Sequence, residues 1–256
     1  MQGGTVAVDV TLDGAMVSFA DGEPLEAHRE GAQWKKGRAT HAGPWKTGEI
    51  TGPIRDVYHA PILFVYGASD PALARANQEV ARAFAQIRWG VRVKYPIMSD
   101  DEFFARGEPL ANERALFVVG NAKSNRVVRE LEDSFPIKID GDAVLVGKQR
   151  IQGKELGAAF IRPNPKRADR YVVVVEGLDA PGTWRALSLP DLLPDFVVWD
   201  SAVAPARGQM ILSAAMVRAA GFFESDWSLP AKVDDPLATA QRPAAKTEYD
   251  ATPYLP

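Results

Sequence analysis

The chain has 256 residues, of which 46% are hydrophobic and 25% charged, with a formal net charge of −3. This balance is typical of a soluble globular protein and gives no electrostatic reason to expect binding to nucleic acid. The absence of cysteine excludes disulfides, thiolate metal sites and cysteine nucleophiles. No apolar run is long enough for membrane insertion, and the first residues lack a signal-peptide pattern, so a cytoplasmic protein is expected if Met1 is the native start.

The first part of the chain has the pattern of short antiparallel strands. Residues 5–36 alternate loosely between apolar and polar side chains and are interrupted by turn residues such as Asp13 and Gly14. This pattern predicts a small β-meander. A passage rich in Gly and Pro follows at residues 41–56 and is interpreted as a linker. A small β domain is therefore expected over residues 1–48.

The pattern of apolar and polar residues changes at residue 61. The runs ILFVY (62–66) and ALFVVG (115–120) are solidly apolar, and each precedes a loop and a segment with helical spacing of apolar residues. Such runs are typical of strands buried on both faces of a parallel sheet. A further strand is predicted at VRVKY (91–95). The alternation of strand and helix predicts an α/β domain over residues 49–230, with a doubly wound (Rossmann/flavodoxin-like), mainly parallel sheet.

The last third is predicted from turn residues and apolar runs. A Gly-Asp pair predicts a hairpin at 137–147, and Pro163 is expected to end a strand near Arg162. A late strand is predicted at 195–200 and a helix at 208–223, with Gly221 at its carboxyl end. Residues 231–256 are polar, aperiodic and bear prolines, so they predict an extended or disordered tail.

Polar residues follow the predicted parallel strands and define a candidate ligand site. In a parallel sheet, the loops after residues 66 and 119 leave at the carboxyl edge, where ligands bind at a switch point in strand order. Later strands end at carboxylates that point to the same edge. The candidate ligand-binding residues are Gly67, Ser69, Asp70, Gly120, Lys123, Ser124, Asn125, Glu176 and Asp200.

Each of these residues also has a purely structural interpretation. Asp70 precedes Pro71, and Asp at the N-cap with Pro at the first helical position is a common helix start. Ser124 or Asn125 fits the N-cap of the next helix in the same way. Strand-end carboxylates such as Glu176 and Asp200 are most often solvated. Capping is the favoured interpretation of both loops.

Catalytic patterns are missing from the sequence. Asp70 follows a strand and a glycine, as does the acid of many α/β-hydrolases, but all three histidines (His28, His41 and His59) precede it. No GxSxG elbow is present, and no histidine pair has metal-ligand spacing. No catalytic residue, metal site or cofactor is predicted. Whether the chain is an enzyme stays open, although these features argue against catalysis by the chain alone.

Four phrases carry a family resemblance. They are TGPIRDVYHAPILFVYG (51–67), ALFVVGNAKSN (115–125), AAFIRPNPKRADRYVVVVEG (158–177) and SLPDLLPDFVVWD (188–200). In this order they resemble the region that follows the catalytic α/β-hydrolase domain in large bacterial prolyl oligopeptidase-like or esterase-like proteins. The resemblance covers about residues 5–230. It implies a hydrolase-associated domain whose catalytic nucleophile belongs to a preceding domain, so no catalytic residue is carried over.

Three functions compete on this basis. The leading hypothesis is a non-catalytic accessory domain or subunit that acts by protein binding, with an α/β-hydrolase or a larger assembly as its partner. The second is a small-ligand-binding or enzymatic α/β domain that uses the carboxyl edge of the sheet. The third is a structural subunit of a larger assembly, in which the tail lies on a neighbouring chain.

Overall fold

The computed structural model describes residues 7–37, 43–86, 95–203 and 217–235. The chain divides into two compact units, Met1–Gly43 and Pro44–Pro256. None of the described helices is long and apolar enough to cross a membrane.

The first unit consists of two β-hairpins. Strands β1 (Val8–Leu12) and β2 (Ala15–Phe19) form one, and β3 (Ala27–Glu30) and β4 (Gln33–Lys36) form the other. They are separate two-stranded sheets, so the prediction of a single meander is wrong. The seven residues 20–26 connect β2 to β3, and these two strands do not pair with each other.

Ten further strands are found in the described part of the second unit. They are β5 (Ile62–Tyr66), β6 (Ile97–Ser99), β7 (Ala115–Val119), β8 (Ile137–Asp140), β9 (Ala143–Val146), β10 (Gln149–Gln152), β11 (Gly157–Asn164), β12 (Arg167–Gly177), β13 (Phe196–Trp199) and β14 (Ala219–Gly221). Seven of them form one sheet in the order β14-β13-β11-β12-β7-β5-β6, and β8, β9 and β10 form a small antiparallel sheet. The predicted hairpin at 137–147 is confirmed as β8 and β9.

The large sheet is mixed. Strands β6, β5, β7 and β12 are parallel, whereas β12, β11, β13 and β14 pair antiparallel. The α/β class is therefore confirmed, but the expectation of a mainly parallel sheet is wrong. The tight turn at residues 165–166 joins β11 to β12, and so short a connection permits only antiparallel pairing. Apolar runs alone do not reveal strand direction.

Strand β11 continues through Pro163, contrary to the predicted end near Arg162. Strand β13 pairs with β11 only at residues 157–160, and the last bond on that side joins the Ile161 amide to Asp195 O at 2.9 Å. Beyond Ile161, β11 does not pair with β13, so its backbone amides on that side form no hydrogen bond with a neighbouring strand. The missing amide of Pro163 is therefore tolerated.

The helical elements are short apart from one. The α-helices are α1 (Pro71–Ala85), α2 (Asp100–Glu102), α3 (Glu108–Ala111), α4 (Arg126–Leu131) and α5 (Ala180–Arg185). The segment Phe103–Gly107 is π-helical, and Ile54–His59, Glu132–Ser134 and Ala186–Ser188 are 3-10 helices.

Helical elements pack on both faces of the large sheet. Phe84 of α1 contacts Phe117 of β7, and Phe135, after α4, contacts Phe160 of β11, each at 5.2 Å between ring centroids. The strand registers place Phe117 level with Ile161 of β11. Because neighbouring residues of a strand point to opposite faces, Phe160 and Phe117 lie on different sides. The core is thus a sheet covered from above and below.

The beginning of the second unit is bonded to later parts of the same unit. Lys46 Nζ lies 2.6 Å from Asp195 Oδ2 and 2.7 Å from the Phe223 carbonyl oxygen. The Thr51 amide donates to the Tyr171 hydroxyl at 2.8 Å. The interpretation of residues 41–56 as a linker is therefore wrong for the part from Lys46 onward.

Of the predictions for the carboxyl-terminal part of the chain, one is confirmed and one is wrong in part. The strand expected at 195–200 is confirmed as β13. The helix expected at 208–223 is wrong at its end, because residues 219–221 form β14 and pair with β13; short apolar runs do not distinguish the two structures by periodicity. Residues 208–216 of the predicted helix lie outside the described residues, as do residues 91–94 of the strand predicted at 91–95.

The predicted tail, residues 231–256, is described only as far as Asp235, which forms an ion pair with Arg218.

Candidate functional site

The predicted carboxyl edge lies at a switch point in strand order. Strands β5 and β7 are neighbours. The strand that follows β5 in the chain, β6, lies on one side of this pair, and the strands of the sheet that follow β7, beginning with β11 and β12, lie on the other. The loops 67–70 and 120–125 follow these two strands. The structure therefore brings together the predicted ligand-binding residues of both loops. Glu176 adjoins them, because the Gly120 amide donates to the Val175 carbonyl oxygen at 2.8 Å, whereas Asp200 lies farther along the sheet.

The two loops are packed directly on each other. The Gly67 amide donates to Val119 O at 2.8 Å, and the Ser69 amide donates to Ser124 O at 3.1 Å. A Cβ atom on Gly67 would lie 2.4 Å from the same Ser124 oxygen, so only glycine fits at this position. Lys123 Nζ and Asp70 Oδ2 form an ion pair at 2.9 Å.

A buried carboxylate that was not among the predicted residues fills the space between the loops. Asp100 is 0% exposed. Its Oδ1 accepts from the Ala68 amide at 2.9 Å, and its Oδ2 accepts from Ser69 Oγ at 2.8 Å and from the Arg126 amide at 3.0 Å. Arg126 begins α4, and amides at a helix start are where an anionic ligand would be held. In this protein the Asp100 carboxylate occupies the position of such a ligand.

The capping interpretation is confirmed for both loops. Asp70 Oδ1 accepts from the Ala72 amide at 3.0 Å, and Asn125 Oδ1 accepts from the Val127 amide at 2.9 Å. The Lys123 ammonium, together with the Ala72 amide, lowers the pKa of Asp70 below its usual value. Ser124 caps nothing; its hydroxyl is buried and lies 3.2 Å from Asn77 Nδ2.

Glu176 and Asp200 are both buried rather than solvated, but only Glu176 lies in a strand next to β7. Asp200 ends β13, three strands from β7, and its Oδ2 pairs with Arg218 at 3.3 Å. Glu176 is 2% exposed, and its Oε1 has no hydrogen-bond partner among the described residues. Burial, together with repulsion from Glu132, raises the pKa of Glu176 well above its usual value.

A concave site occurs at the opposite end of the parallel strands. A pocket of ≈ 200 Å³ lies between the 54–59 helix, the carboxyl end of α1 and residues 186–193. Its apolar wall consists of Ile54, Ala83, Phe84, Ala186, Leu189 and Leu193. Arg55, His59 and Asp191 also line it. The 54–59 helix directly precedes β5, so the pocket is at the amino end of that strand.

One polar chain leads from the core to this pocket. His59 Nδ1 lies 2.9 Å from Asp56 Oδ1, and the Tyr171 hydroxyl donates to Asp56 Oδ2. That hydroxyl also accepts from the Thr51 and Gly52 amides at 2.8 and 3.1 Å. Burial, with the neighbouring Asp56 carboxylate, raises the pKa of Tyr171 to about 12. Tyr171 therefore stays protonated at neutral pH and holds Asp56 in place. The sequence offered no signal for the contact of Tyr171 with Asp56, since the two residues are 115 positions apart in the chain.

A larger cavity of ≈ 390 Å³ lies against the π-helical segment. Its basic lining residues are paired, with Lys166 Nζ 2.7 Å from Glu130 Oε2 and Arg167 Nε 3.3 Å from Asp169 Oδ1. Their charges are largely neutralised by these partners.

Within the described ranges, no three His, Asp or Glu side chains are grouped so that they could hold a metal ion. No protein-family model matches the chain, and no curated protein matches it either. The resemblance to the region that follows a hydrolase domain therefore stays a prediction.

Proposed function

We propose that the chain is a non-catalytic accessory domain or subunit that acts by binding another protein, and that its first unit is the contact element. The observation that carries this proposal is the exposure of apolar side chains on the first hairpin and on the connection between the two hairpins. Met16 is 71% exposed and Leu25 is 63% exposed. Among residues 7–37 only Val17 and Phe19 are buried.

The physical argument concerns how little this unit buries. Two-stranded hairpins are marginally stable in water unless a hydrophobic face is covered. Each strand of the two sheets also has one unpaired side, which is a template for contact with another chain. A partner that covers Met16 and Leu25 would add apolar burial that the unit lacks. From the family resemblance, we propose an α/β-hydrolase as this partner.

The role of Asp70 supports the non-catalytic part of the proposal. The residue compared with a hydrolase acid caps α1 and pairs with Lys123. Both carboxylate oxygens of Asp70 thus have partners within the fold, Oδ1 in the Ala72 amide and Oδ2 in the Lys123 ammonium. The alternative of a small-ligand or enzymatic site at the carboxyl edge is less well supported, because Asp100 occupies the space between the loops.

A finer description of the fold is part of the same proposal. Across the sheet, the four parallel strands lie side by side in the order β6-β5-β7-β12. Numbered by their order in the chain, this is 2-1-3-4. This order is that of the first four strands of the flavodoxin-like doubly wound sheet. We propose that the second unit derives from such a sheet, with β11, β13 and β14 extending it.

The test is a pull-down from the source organism with the intact chain, followed by identification of the bound proteins by mass spectrometry. We expect recovery of an α/β-hydrolase, and loss of that recovery in the double variant Met16→Glu, Leu25→Glu. Phe222→Glu is the matched control, because Phe222 is similarly exposed but belongs to the second unit.

Other results would refute parts of the proposal. Recovery that survives the double variant and is lost with the control would exclude the first unit as the contact element. Recovery of many copies of an unrelated protein would favour the structural-subunit alternative. A chain that retains no hydrolase at all would refute the accessory role.

A further inference from the structure

The cavity of ≈ 390 Å³ against the π-helical segment lies on the face of the large sheet that carries α4. Val127 and Leu131 of α4 line it. So does Leu116 of β7, whose side chain points away from α1 because the neighbouring Phe117 packs on that helix. Ligand pockets commonly have volumes of about 300–1,000 Å³, so the cavity has room for one or two rings.

Two aromatic rings form the wall of the cavity at the π-helical segment. Phe103 and Phe104 meet edge to face, with 5.4 Å between their centroids and 87° between their planes, and both line the cavity. The Arg126 guanidinium lies over the Phe104 ring, 4.2 Å from its centroid. Single π-helical turns occur frequently at functional sites, and rings at such a wall favour a further aromatic group as their packing partner.

Asn164 gives the cavity a hydrogen-bond donor that the fold does not use. The residue ends β11, lines the cavity and is 3% exposed. Its Oδ1 accepts from the Lys166 amide at 3.0 Å, which fixes the orientation of the side-chain amide and makes Nδ2 its other end. None of the hydrogen bonds among the described residues involves this Nδ2 group. An acceptor on a bound molecule would supply the missing partner.

The charged residues around the cavity disfavour an anionic ligand. Lys166 and Arg167 already have carboxylate partners, Glu130 at 2.7 Å and Asp169 at 3.3 Å. Glu108 and Glu130 both line the cavity, so a further carboxylate there would be repelled. The unused donor of the side-chain amide does not bind a cation either. The fitting polar group is therefore a neutral acceptor such as a carbonyl oxygen.

We infer that this cavity binds a neutral aromatic carbonyl compound of one or two fused rings, with the carbonyl oxygen at Nδ2 of Asn164 and the ring against Phe103 and Phe104. All the lining residues belong to the second unit. The inference goes beyond the proposed protein-binding function, which concerns the first unit, and does not depend on it.

The experiment uses the full chain with 2-acetylnaphthalene and 2-ethylnaphthalene as probes. The two have the same rings and nearly the same size, but only the ketone carries an acceptor. Binding is followed by probe fluorescence and by the side-chain amide resonances of Asn164. We expect saturable binding of the ketone, about fivefold tighter than that of the hydrocarbon because of one added hydrogen bond, with a shift of the Asn164 resonances. The anionic analogue 2-naphthoate should bind more weakly than the ketone.

Three variants separate the two parts of the site. Asn164→Asp keeps an oxygen for the Lys166 amide but replaces the donor by an acceptor, so the preference for the ketone should be lost. Ala111→Trp places a ring in the cavity, because Ala111 lines it and is only partly buried, and should abolish binding of both probes. Leu110→Trp is the matched control, since Leu110 is the adjacent, exposed position of α3 and does not line the cavity; it should leave binding unchanged.

Absence of saturable ketone binding to the unmodified chain would overturn the inference. So would ketone binding that leaves the Asn164 resonances unshifted or survives Ala111→Trp, because the probe would then occupy another site, such as the pocket beside the 54–59 helix. Tighter binding of 2-naphthoate than of the ketone would refute the choice of a neutral ligand. If Asn164→Asp does not fold, the two probes on the unmodified chain and the Ala111 variant still decide the outcome.

Discussion

The two ends of the parallel strands use polar side chains in opposite ways. At the carboxyl edge, loops 67–70 and 120–125 turn their polar groups toward each other and toward Asp100. At the amino end, the pocket beside the 54–59 helix is mostly apolar and contains one oriented imidazole. A cluster of polar residues at a switch point is therefore insufficient to define a ligand site. What matters is the hydrogen-bonding capacity that remains after folding.

The largest effect is expected from Asp100→Ala. Removal of this carboxylate leaves two amides and one hydroxyl without their buried acceptor. Since each unsatisfied group costs roughly 1–3 kcal/mol, we expect the free energy of unfolding to fall by about 3 kcal/mol. Urea denaturation measures it. Asp101→Ala is the matched control, because Asp101 is exposed and only pairs with Arg126 at the surface, and it should cause little change.

The same variant tests the contrast between the carboxyl and amino ends of the parallel strands. If Asp100→Ala is as stable as the Asp101 control, the carboxyl edge does not depend on its internal anion. If added sulfate stabilises Asp100→Ala and has no such effect on the unmodified chain, the vacated amides are an anion site that Asp100 normally fills. The second result would sharpen the contrast.

A pH-dependent effect is expected from Glu176, the carboxylate near this edge whose Oε1 lacks a hydrogen bond. Burial raises its pKa in the folded protein, so the folded state holds a proton that the unfolded state releases above a pH of about 4. This contribution to stability is complete below the unfolded pKa and is lost as the pH rises toward the folded pKa, by at most about 1.4 kcal/mol per pH unit. Glu176→Gln should remove that slope.

The measurement is urea denaturation between pH 4 and neutrality, on both proteins. The difference in free energy of unfolding should shift in favour of Glu176→Gln as the pH rises. A parallel pH dependence of the two proteins would show that Glu176 is ionised in the fold, and that the carboxyl edge has a solvated member after all.

The smallest effect is expected from Asp70→Ala. Loss of the N-cap of α1 should lower the free energy of unfolding by about 1 kcal/mol. Lys123→Ala removes the ion pair but keeps the cap, so it should have little effect. Thermal or urea unfolding compares the two. An equal loss in both variants would assign the role of Asp70 to the ion pair instead.

The sequence predicted local structure better than long-range pairing. Strands 62–66 and 115–119 were recognisable because each is a buried apolar run bounded by turn residues. The caps at Asp70 and Asn125 were equally readable, since a cap depends on residues two or three positions away. The antiparallel half of the sheet was missed, because pairing direction depends on partners distant in the chain.

The candidate site likewise has a part that the sequence predicted and a part that depends on contacts between distant residues. The meeting of the two loops followed from strand order, whereas Asp100 is separated from Ala68 by 32 positions. No strand was predicted at Ile97–Ser99, where β6 lies, so Asp100 was not recognised as a strand-end residue. The pocket was also beyond prediction, because its walls come from three segments that meet only in the folded chain.

The outer strands of the large sheet have a consequence for self-association. Among the described strands of this sheet, β6 and β14 are outermost and only three residues long, and short edge strands give an incoming strand few backbone groups to pair with. Recruitment of neighbours by strand addition along these two strands is thereby discouraged, although the interior strand β12 has eleven residues and is rich in valine. An assembly built from this chain would have to grow through side-chain surfaces or through the small hairpins, and the sheet itself would remain a closed unit within it.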